Sequence, residues 1–255
     1  MTTFRADMHI HTCLSPCGEL SMDPARVVAL ALKQGLDLLV IADHNTTGNA
    51  GAVMDAAQGT SLTVLPGCEV GTVEEVHLIA IFESLEVARR FQPFLTAHLS
   101  GANTPEVFGY QIVADAEGNF TDECTDFLMG GLSASASEVA REVKRMGGLL
   151  ICAHIDRKSF SVISQLGFIP DDLSPDAVEV TYPGLEAGFA AEHGAGLPVV
   201  TASDAHFPEE IGRWTTLFEM EEASFHELAM ALHGEKGRHI AGYDESRGVL
   251  LGEAI

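Results

Sequence analysis

Asp7-Met8-His9-Ile10-His11 is the stretch on which the reading of this chain turns. In an extended strand alternate side chains share a face, so His9 and His11 project side by side, roughly 7 Å apart at the backbone. Two imidazoles that close can grip one metal ion. Met8 and Ile10 then point the other way into apolar packing, and Asp7 sits on the histidine face, placed to hydrogen-bond a ligand imidazole. A His-x-His pair alone has little specificity. Its weight comes from the recurrence of His, Asp and Glu after one apolar run after another.

The run 36–42 is continuous and flanked by turn-formers, as expected of a parallel strand buried on both faces, and Asp43-His44-Asn45 sits at its carboxyl end. Residues 61–65 read as the next strand, ending in Pro66-Gly67-Cys68-Glu69. The run 76–82 carries His77 at its start, which places that residue at the same mouth only if the preceding loop curls over it. Runs 149–153 and 198–202 deliver His154 and then Ser203-Asp204-Ala205-His206, while 177–180 ends in Thr181-Tyr182-Pro183-Gly184 and 214–220 is strand-like.

Helices alternate with these strands. Asp23-Pro24 is an N-cap followed by Pro at the first helical position, with Gly35 as the stop. Further helices are expected over 48–58, 137–146, 158–166 and 186–193, and from Ser224, whose partner Glu227 completes a capping box, to Gly234. About seven such units imply a parallel sheet with right-handed crossovers, closed or nearly closed into a barrel whose strand ends meet at one mouth. Residues 85–132 break the rhythm with a helix over 86–99 and a hairpin around 110–120, an insertion that would cover the substrate side. The whole of 1–255 is expected to be a single domain.

Asp and Glu outnumber Lys and Arg by 37 to 14, a formal charge of −23, which repels polyanions and argues against long nucleic acid as a partner. A small phosphorylated substrate remains compatible, because bound cations reverse the local sign. The five cysteines, Cys13, Cys17, Cys68, Cys124 and Cys152, include no Cys-x-x-Cys pair, so neither a disulfide framework nor a zinc ribbon is indicated. Hydrophobic content is 46% without a bilayer-length apolar run or a secretory leader, and the expectation is a cytoplasmic protein without a membrane partner.

These motifs, His9-Ile10-His11-Thr12 with Ser15, Ala42-Asp43-His44-Asn45, Pro66-Gly67-Cys68-Glu69, His77, Ala153-His154-Ile155-Asp156-Arg157 and Ser203-Asp204-Ala205-His206, together resemble the polymerase and histidinol phosphatase (PHP) superfamily of metal-dependent phosphoesterases. The resemblance implies an α/β fold, a distorted, TIM-like (β/α)7 barrel that binds two or three divalent ions. It implies that His9, His11, Glu69 and Asp204 hold the first metal, that Glu69 bridges to a second with His77 and His154, and that His44 and His206 hold a third. Many relatives add a His or Asp after the first-loop serine. This chain reads Ser15-Pro16-Cys17-Gly18-Glu19 there, leaving Cys17 or Glu19 as the candidate, and a thiolate would favour zinc or iron over manganese or magnesium.

Clustered divalent ions lower the pKa of water so that hydroxide is available near neutral pH, and mixed imidazole and carboxylate ligands suit zinc, manganese or iron. The expected function is hydrolysis of a phosphomonoester, nucleotide or cyclic phosphate, with Glu69, Asp204 and Arg157 as the catalytic set. Arg157 would pair with a phosphate, Lys158 or Arg213 would assist, and Asp43 would orient an imidazole. The alternatives are an exonuclease acting on nucleic acid and a metal-binding regulatory module without turnover. His98, His193, His226, His233 and His239 read as surface or packing residues, Ser15 lacks a nucleophile elbow, and the Asp115 turn lacks the spacing of an EF-hand loop.

Overall fold

The apolar runs become strands in a computed structural model that describes residues 1–245. In chain order they are β1 (Thr2–Ile10), β2 (Leu38–Ile41), β3 (Thr63–Gly71), β4 (His77–Ile81), β5 (Ile112–Ala114), β6 (Phe120–Glu123), β7 (Leu149–Cys152), β8 (Ala177–Glu179), β9 (Val199–Val200), β10 (Trp214–Met220) and β11 (His239–Glu245). The helices are α1 (Pro24–Lys33), α2 (Ala50–Ala56), α3 (Leu85–His98), α4 (Pro105–Phe108), α5 (Ala136–Arg145), α6 (Val162–Leu166), α7 (Tyr182–Glu186), α8 (Phe189–His193) and α9 (Phe225–His233).

One nine-stranded sheet runs in the order β11-β10-β1-β2-β3-β4-β7-β8-β9. It curls until the chain beyond β9 meets β1, where the His11 N–H donates to the Ala205 carbonyl at 3.0 Å and the Ala205 N–H to that of His9 at 3.2 Å. The strands from β1 to β9 thereby form the nearly closed α/β barrel that the sequence led one to expect, and the antiparallel pair β10 and β11 extends it along the first half of β1.

Three apolar layers hold it together. The barrel interior packs Met8, Leu38, Val40, Ile79 and Ile151, and α9 plugs one end with Leu228 and Leu232. Phe91 of α3 and Val139 of α5 cover β4 and β7. Val27 and Leu30 of α1, with Val53 of α2, cover β1 and β2. A register shift in β1 between Asp7 and Ile10 sends Met8 into the interior and Ile10 into the outer layer, so the pair does not share the single face that strict alternation predicts.

Several sequence expectations need correction. The sheet is not wholly parallel: β4 runs antiparallel to both β3 and β7, because residues 72–76 are too few for a crossover, which needs a dozen or more. His77 therefore reaches the mouth as the first residue of a reversed strand. Pro66-Gly67 is no turn. β3 continues to Gly71, and Gly67 serves close packing, since a Cβ there would strike the carbonyls of Ala80 and Ile41. The helix expected over 158–166 begins only at Val162, the one over 186–193 breaks at Gly188 (φ 71°) into α7 and α8, and His239 opens β11. Residues 85–132 do supply a helix, α3, and a hairpin, β5–β6, which docks on the first loop through the Ile112 N–H to the Cys13 carbonyl at 2.9 Å. Among the described residues no helix is long and apolar enough to cross a membrane.

Candidate metal centre

Residues that end or, for β4, begin the strands converge at one mouth. β1 supplies His9 and His11, the turn after β2 supplies His44, β3 supplies Glu69, β4 supplies His77, β7 leads into His154, and the bridge residue Ala205 is flanked by Asp204 and His206. Three of the turns there adopt positive φ without glycine: Asn45 (51°), His154 (28°) and Asp204 (50°). Such conformations persist only where surrounding contacts over-determine them, and they cluster at functional sites.

Glu69 lies at the centre. Its Oε1 is 2.8 Å from His77 Nδ1, 3.1 Å from His154 Nε2 and 3.4 Å from His9 Nε2, and its Oε2 is 3.0 Å from His44 Nδ1 and 3.5 Å from His11 Nε2. Asp204 Oδ1 is 3.2 Å from Nε2 of both His9 and His11, while its Oδ2 is 2.6 Å from Arg157 Nη2. Tetrahedral ligands at about 2.0–2.1 Å from zinc are spaced by roughly 3.3 Å, so the separations among His9, His11 and Asp204 suit one ion, with Glu69 adjoining that group.

The tautomers support that fit. His9 Nδ1 lies 3.0 Å from Glu179 Oε2, and His11 Nδ1 lies 2.9 Å from Ser15 Oγ, whose own proton goes to Asp43 Oδ1 at 2.7 Å. Each Nδ1–H is thus tied back, leaving two Nε2 lone pairs facing each other at 3.1 Å, an arrangement that wants a cation between them. The titration shifts show the same demand for positive charge, met on His9 by a proton. Burial works against charge on His9, but Asp204, Glu179 and Glu69 outweigh it and raise its pKa well above the usual value. Burial also opposes ionisation of Glu69 and Asp204, yet the imidazoles, His77 first for Glu69 and His9 first for Asp204, hold both well below the carboxylate range.

Two further groupings adjoin the first. His44, Glu69 and His77 bring ligand atoms within 4.8 Å of one another, as do His11, His44 and His206. His154 joins the former through Glu69, and its Nδ1 is buried without a hydrogen-bond partner among the described residues. Cys17 joins the latter. Burial would raise its pKa, but hydrogen bonds with His206 and His44 overcome this and lower it to about 7. The mouth opens into a cavity of about 430 Å³, walled by Phe127, Met129, Gly130 and Gly131 of the 85–132 segment and by Arg157, Ser159 and Phe160 beyond β7.

Ten of the residues expected at the site therefore meet there: His9, His11, Cys17, His44, Glu69, His77, His154, Arg157, Asp204 and His206. Glu19 does not. Its side chain is exposed, and only its amide touches the cluster, donating to the His206 carbonyl at 2.9 Å. Lys158 is exposed outside the cavity lining, and Arg213 stacks on Trp214 at 4.4 Å. Asp7 orients no imidazole: its carboxylate accepts the Ser203 and Gly212 amides at 3.0 and 2.9 Å, and burial pushes its pKa up to about 6. Asp43 acts on His11 through Ser15 and not on the adjacent His44 ring. Glu179 escaped the sequence reading. The available signal was a lone carboxylate inside the apolar run Ala177-Val178-Glu179-Val180, which cannot be buried without a partner.

Comparison with known proteins agrees with this picture. A family model described as PHP-associated matches residues 186–236. A curated relative, the uncharacterized protein YqxK of Bacillus subtilis (strain 168), is 28% identical over 279 residues, covering 94% of this chain and 64% of that protein. The lesion-specific endonuclease PfuEndoQ of Pyrococcus furiosus superposes with a TM-score of 0.72 at 21% identity, over 94% of this chain and 58% of its own. An endonuclease Q complex with a 27-mer duplex bearing an abasic lesion at the active site gives 0.67 at 18%, with the same coverage of 94% and 58%. A candidate metal-dependent phosphoesterase from Bifidobacterium adolescentis gives 0.53 at 22%, over 79% and 87%. The chain thus spans under two thirds of the curated relative and of endonuclease Q, and the superpositions establish a shared fold. The resemblance to the PHP superfamily carried by the motifs and the matched segment point the same way.

Proposed function

We propose that this PHP-like chain is a metal-dependent phosphoesterase acting on a small phosphorylated molecule. The observation that carries the reading is the Glu69 carboxylate lying within 2.8–3.5 Å of nitrogens from His9, His11, His44, His77 and His154. His9, His11, Glu69 and Asp204 would hold one divalent ion, Glu69, His77 and His154 a second, and His44, His206 and Cys17 a third, with the thiol biasing that position toward zinc or iron. Bound there, the ions would supply Lewis-acid activation of water and neutralise phosphate charge. Arg157, anchored on Asp204 Oδ2 and half-exposed to the cavity, would pair with phosphate oxygens and fix the ester over the cluster. Glu179 and the Ser15–Asp43 pair hold the Nδ1 side of His9 and His11, which would aim each Nε2 at the cluster and make it a more basic ligand. Residues 85–132 would act as the cover that limits water and substrate size.

The cavity, at about 430 Å³, is in the range of small-molecule sites. The net charge of −23 disfavours long polyanions. A nucleic-acid phosphodiesterase is the second reading, favoured by the likeness to endonuclease Q, so the fold itself gives no argument against DNA and the case for a small ester rests on the charge and the cavity size. Five free thiols fit a reducing cytoplasm.

Phosphate release from a panel of mononucleotides, sugar phosphates and cyclic phosphates, with zinc, manganese or iron, is the test. Turnover of a small ester and loss of it in Asp204→Ala are expected. Cleavage of duplex or lesion-bearing oligonucleotides in preference to every small ester would transfer the assignment to the second reading, and metal retention without any turnover would leave a binding module.

A further inference from the structure

The loop that leaves β7 aims three side chains at one cavity: His154 toward the cluster, Arg157 onto Asp204, and Phe160 at the rim. Phe160 is an unusual residue for its position. It adopts φ 57°, which is strained for a bulky side chain, and the residue is 45% exposed in the cavity wall. Neither feature helps folding. Yet the conformation is held firmly: the Phe160 carbonyl accepts the His77 N–H at 2.9 Å, and its ring stacks on the His77 imidazole with centroids 4.8 Å apart at 20°. The rest of the loop is pinned too. Ser161 Oγ donates to the Arg157 carbonyl at 2.9 Å, and the Asp156 carboxylate accepts both the amide and the hydroxyl of Thr181.

With one ring face covered by His77, the exposed remainder of Phe160 is a fixed apolar surface on the same loop as Arg157. Phe127 and Met129 line the same cavity, adding an apolar wall. We infer that Phe160 is a stacking shelf that makes this site selective for phosphoesters carrying a planar aromatic or heteroaromatic ring, with Arg157 on the phosphate. The inference rests on the phosphoesterase reading and narrows it. Two of the polar side chains in the cavity wall are already engaged. Asn45 spends its side-chain amide on the Leu128 and Gly130 carbonyls and on the Gly71 N–H, and Thr72 Oγ1 accepts the Val76 N–H. Stacking tolerates any ring because every base has a π-face, so discrimination among rings is small and discrimination between rings and alkyl groups is large.

The test compares KM for aryl and nucleoside monophosphates with that for alkyl monophosphates of equal charge. The parent protein is expected to favour the aromatic esters by about tenfold in KM. Phe160→Leu brings the aromatic-to-alkyl ratio close to one, and Phe160→Trp keeps it. Equal KM values in the parent, or a preference that survives Phe160→Leu, overturn the shelf. A parallel measurement of equilibrium binding of phenylphosphonate against propylphosphonate to the metal-loaded protein separates the two readings. Phe160-dependent preference for phenylphosphonate without hydrolysis of any ester sinks the phosphoesterase assignment but keeps the shelf. Hydrolysis without that preference does the reverse.

Discussion

The two ends of the barrel both bury charge, and they do so in opposite ways. At the end plugged by α9, each buried charge meets its opposite: Arg238 forks onto both oxygens of Glu227 at 3.0–3.3 Å, and Lys144 meets Asp176 at 2.5 Å. At the mouth, Glu69, Glu179 and Asp204 face a crowd of imidazoles, with Arg157 as the cationic side chain in contact. The closed end is complete as a folded object. In the proposed reading the mouth is completed by bound cations, and it holds three strained turns at Asn45, His154 and Asp204 that the contacts around them maintain. Substitutions of the carboxylates and imidazoles at the mouth should therefore be read in metal content and turnover, and substitutions at the closed end in stability.

The sharpest way to break that contrast is Glu69→Gln. Since one carboxylate touches all three groupings, the variant should lose more than one equivalent of metal by elemental analysis and lower kcat/KM by more than about 100-fold, beyond the cost of removing an outer partner. Full metal retention would mean that Glu69 is not a shared ligand, and a parent protein that holds no metal would mean that the mouth is an ordinary polar core. Glu179→Gln and Ser15→Ala probe the layer behind the ligands, and each should weaken metal affinity by roughly 10–100-fold in a chelator competition assay.

Much of the mouth could be read before any fold was known, and the reason is local. A ligand at the end of an apolar run is announced by the run itself, as His44, His154 and Asp204 were. The reversed direction of β4 was hidden because five-residue turn 72–76 had to be weighed against a helical crossover elsewhere in the rhythm. Glu179 was hidden for a different reason: a carboxylate within a strand gains its meaning from His9, which lies 170 residues away in sequence. The sequence over 158–166 predicts a helix through Phe160, and the exposure of that residue in the cavity is a property of the loop's tertiary anchors, not of its neighbours in sequence. Glu19 and Cys17 looked equivalent as sequence, and only the path of the first loop, fixed by the Glu19 N–H on the His206 carbonyl, turns one inward and the other out.

Cys17 sharpens the comparison within the mouth. With cobalt(II) in place of the native metal, a thiolate ligand gives a sulfur-to-metal charge-transfer band in the near ultraviolet, which Cys17→Ser should abolish while the ligands of the first two groupings keep their ions. A parent protein without that band would exclude the thiol from coordination. The wall opposite is tested by Asn45→Ala, which strands the Leu128 and Gly130 carbonyls and the Gly71 N–H. Loss of these hydrogen bonds should cost about 2 kcal/mol in urea unfolding and raise KM for small esters several-fold.

The smallest expected effect belongs to the closed end. Hydrogen bonds from Arg238, then from the Glu221 amide, hold the Glu227 carboxyl below the usual carboxylate range. A depressed folded pKa means that the unfolded chain binds more protons in the window between the two values, so stability rises with pH there. The contribution of the pair is fully present above the ordinary Glu pKa of about 4.3 and fades as pH falls through the lower folded value. Glu227→Gln should therefore reduce Tm by a few degrees near neutral pH, with the deficit against the parent shrinking below about pH 4.3, and metal content at neutral pH should be unaltered. Scanning calorimetry of the two proteins from neutral to acid pH reads this directly. A deficit that stays constant through the acid range, or that appears together with metal loss, would mean the two ends of the barrel are not separable in the way their charge pairing indicates.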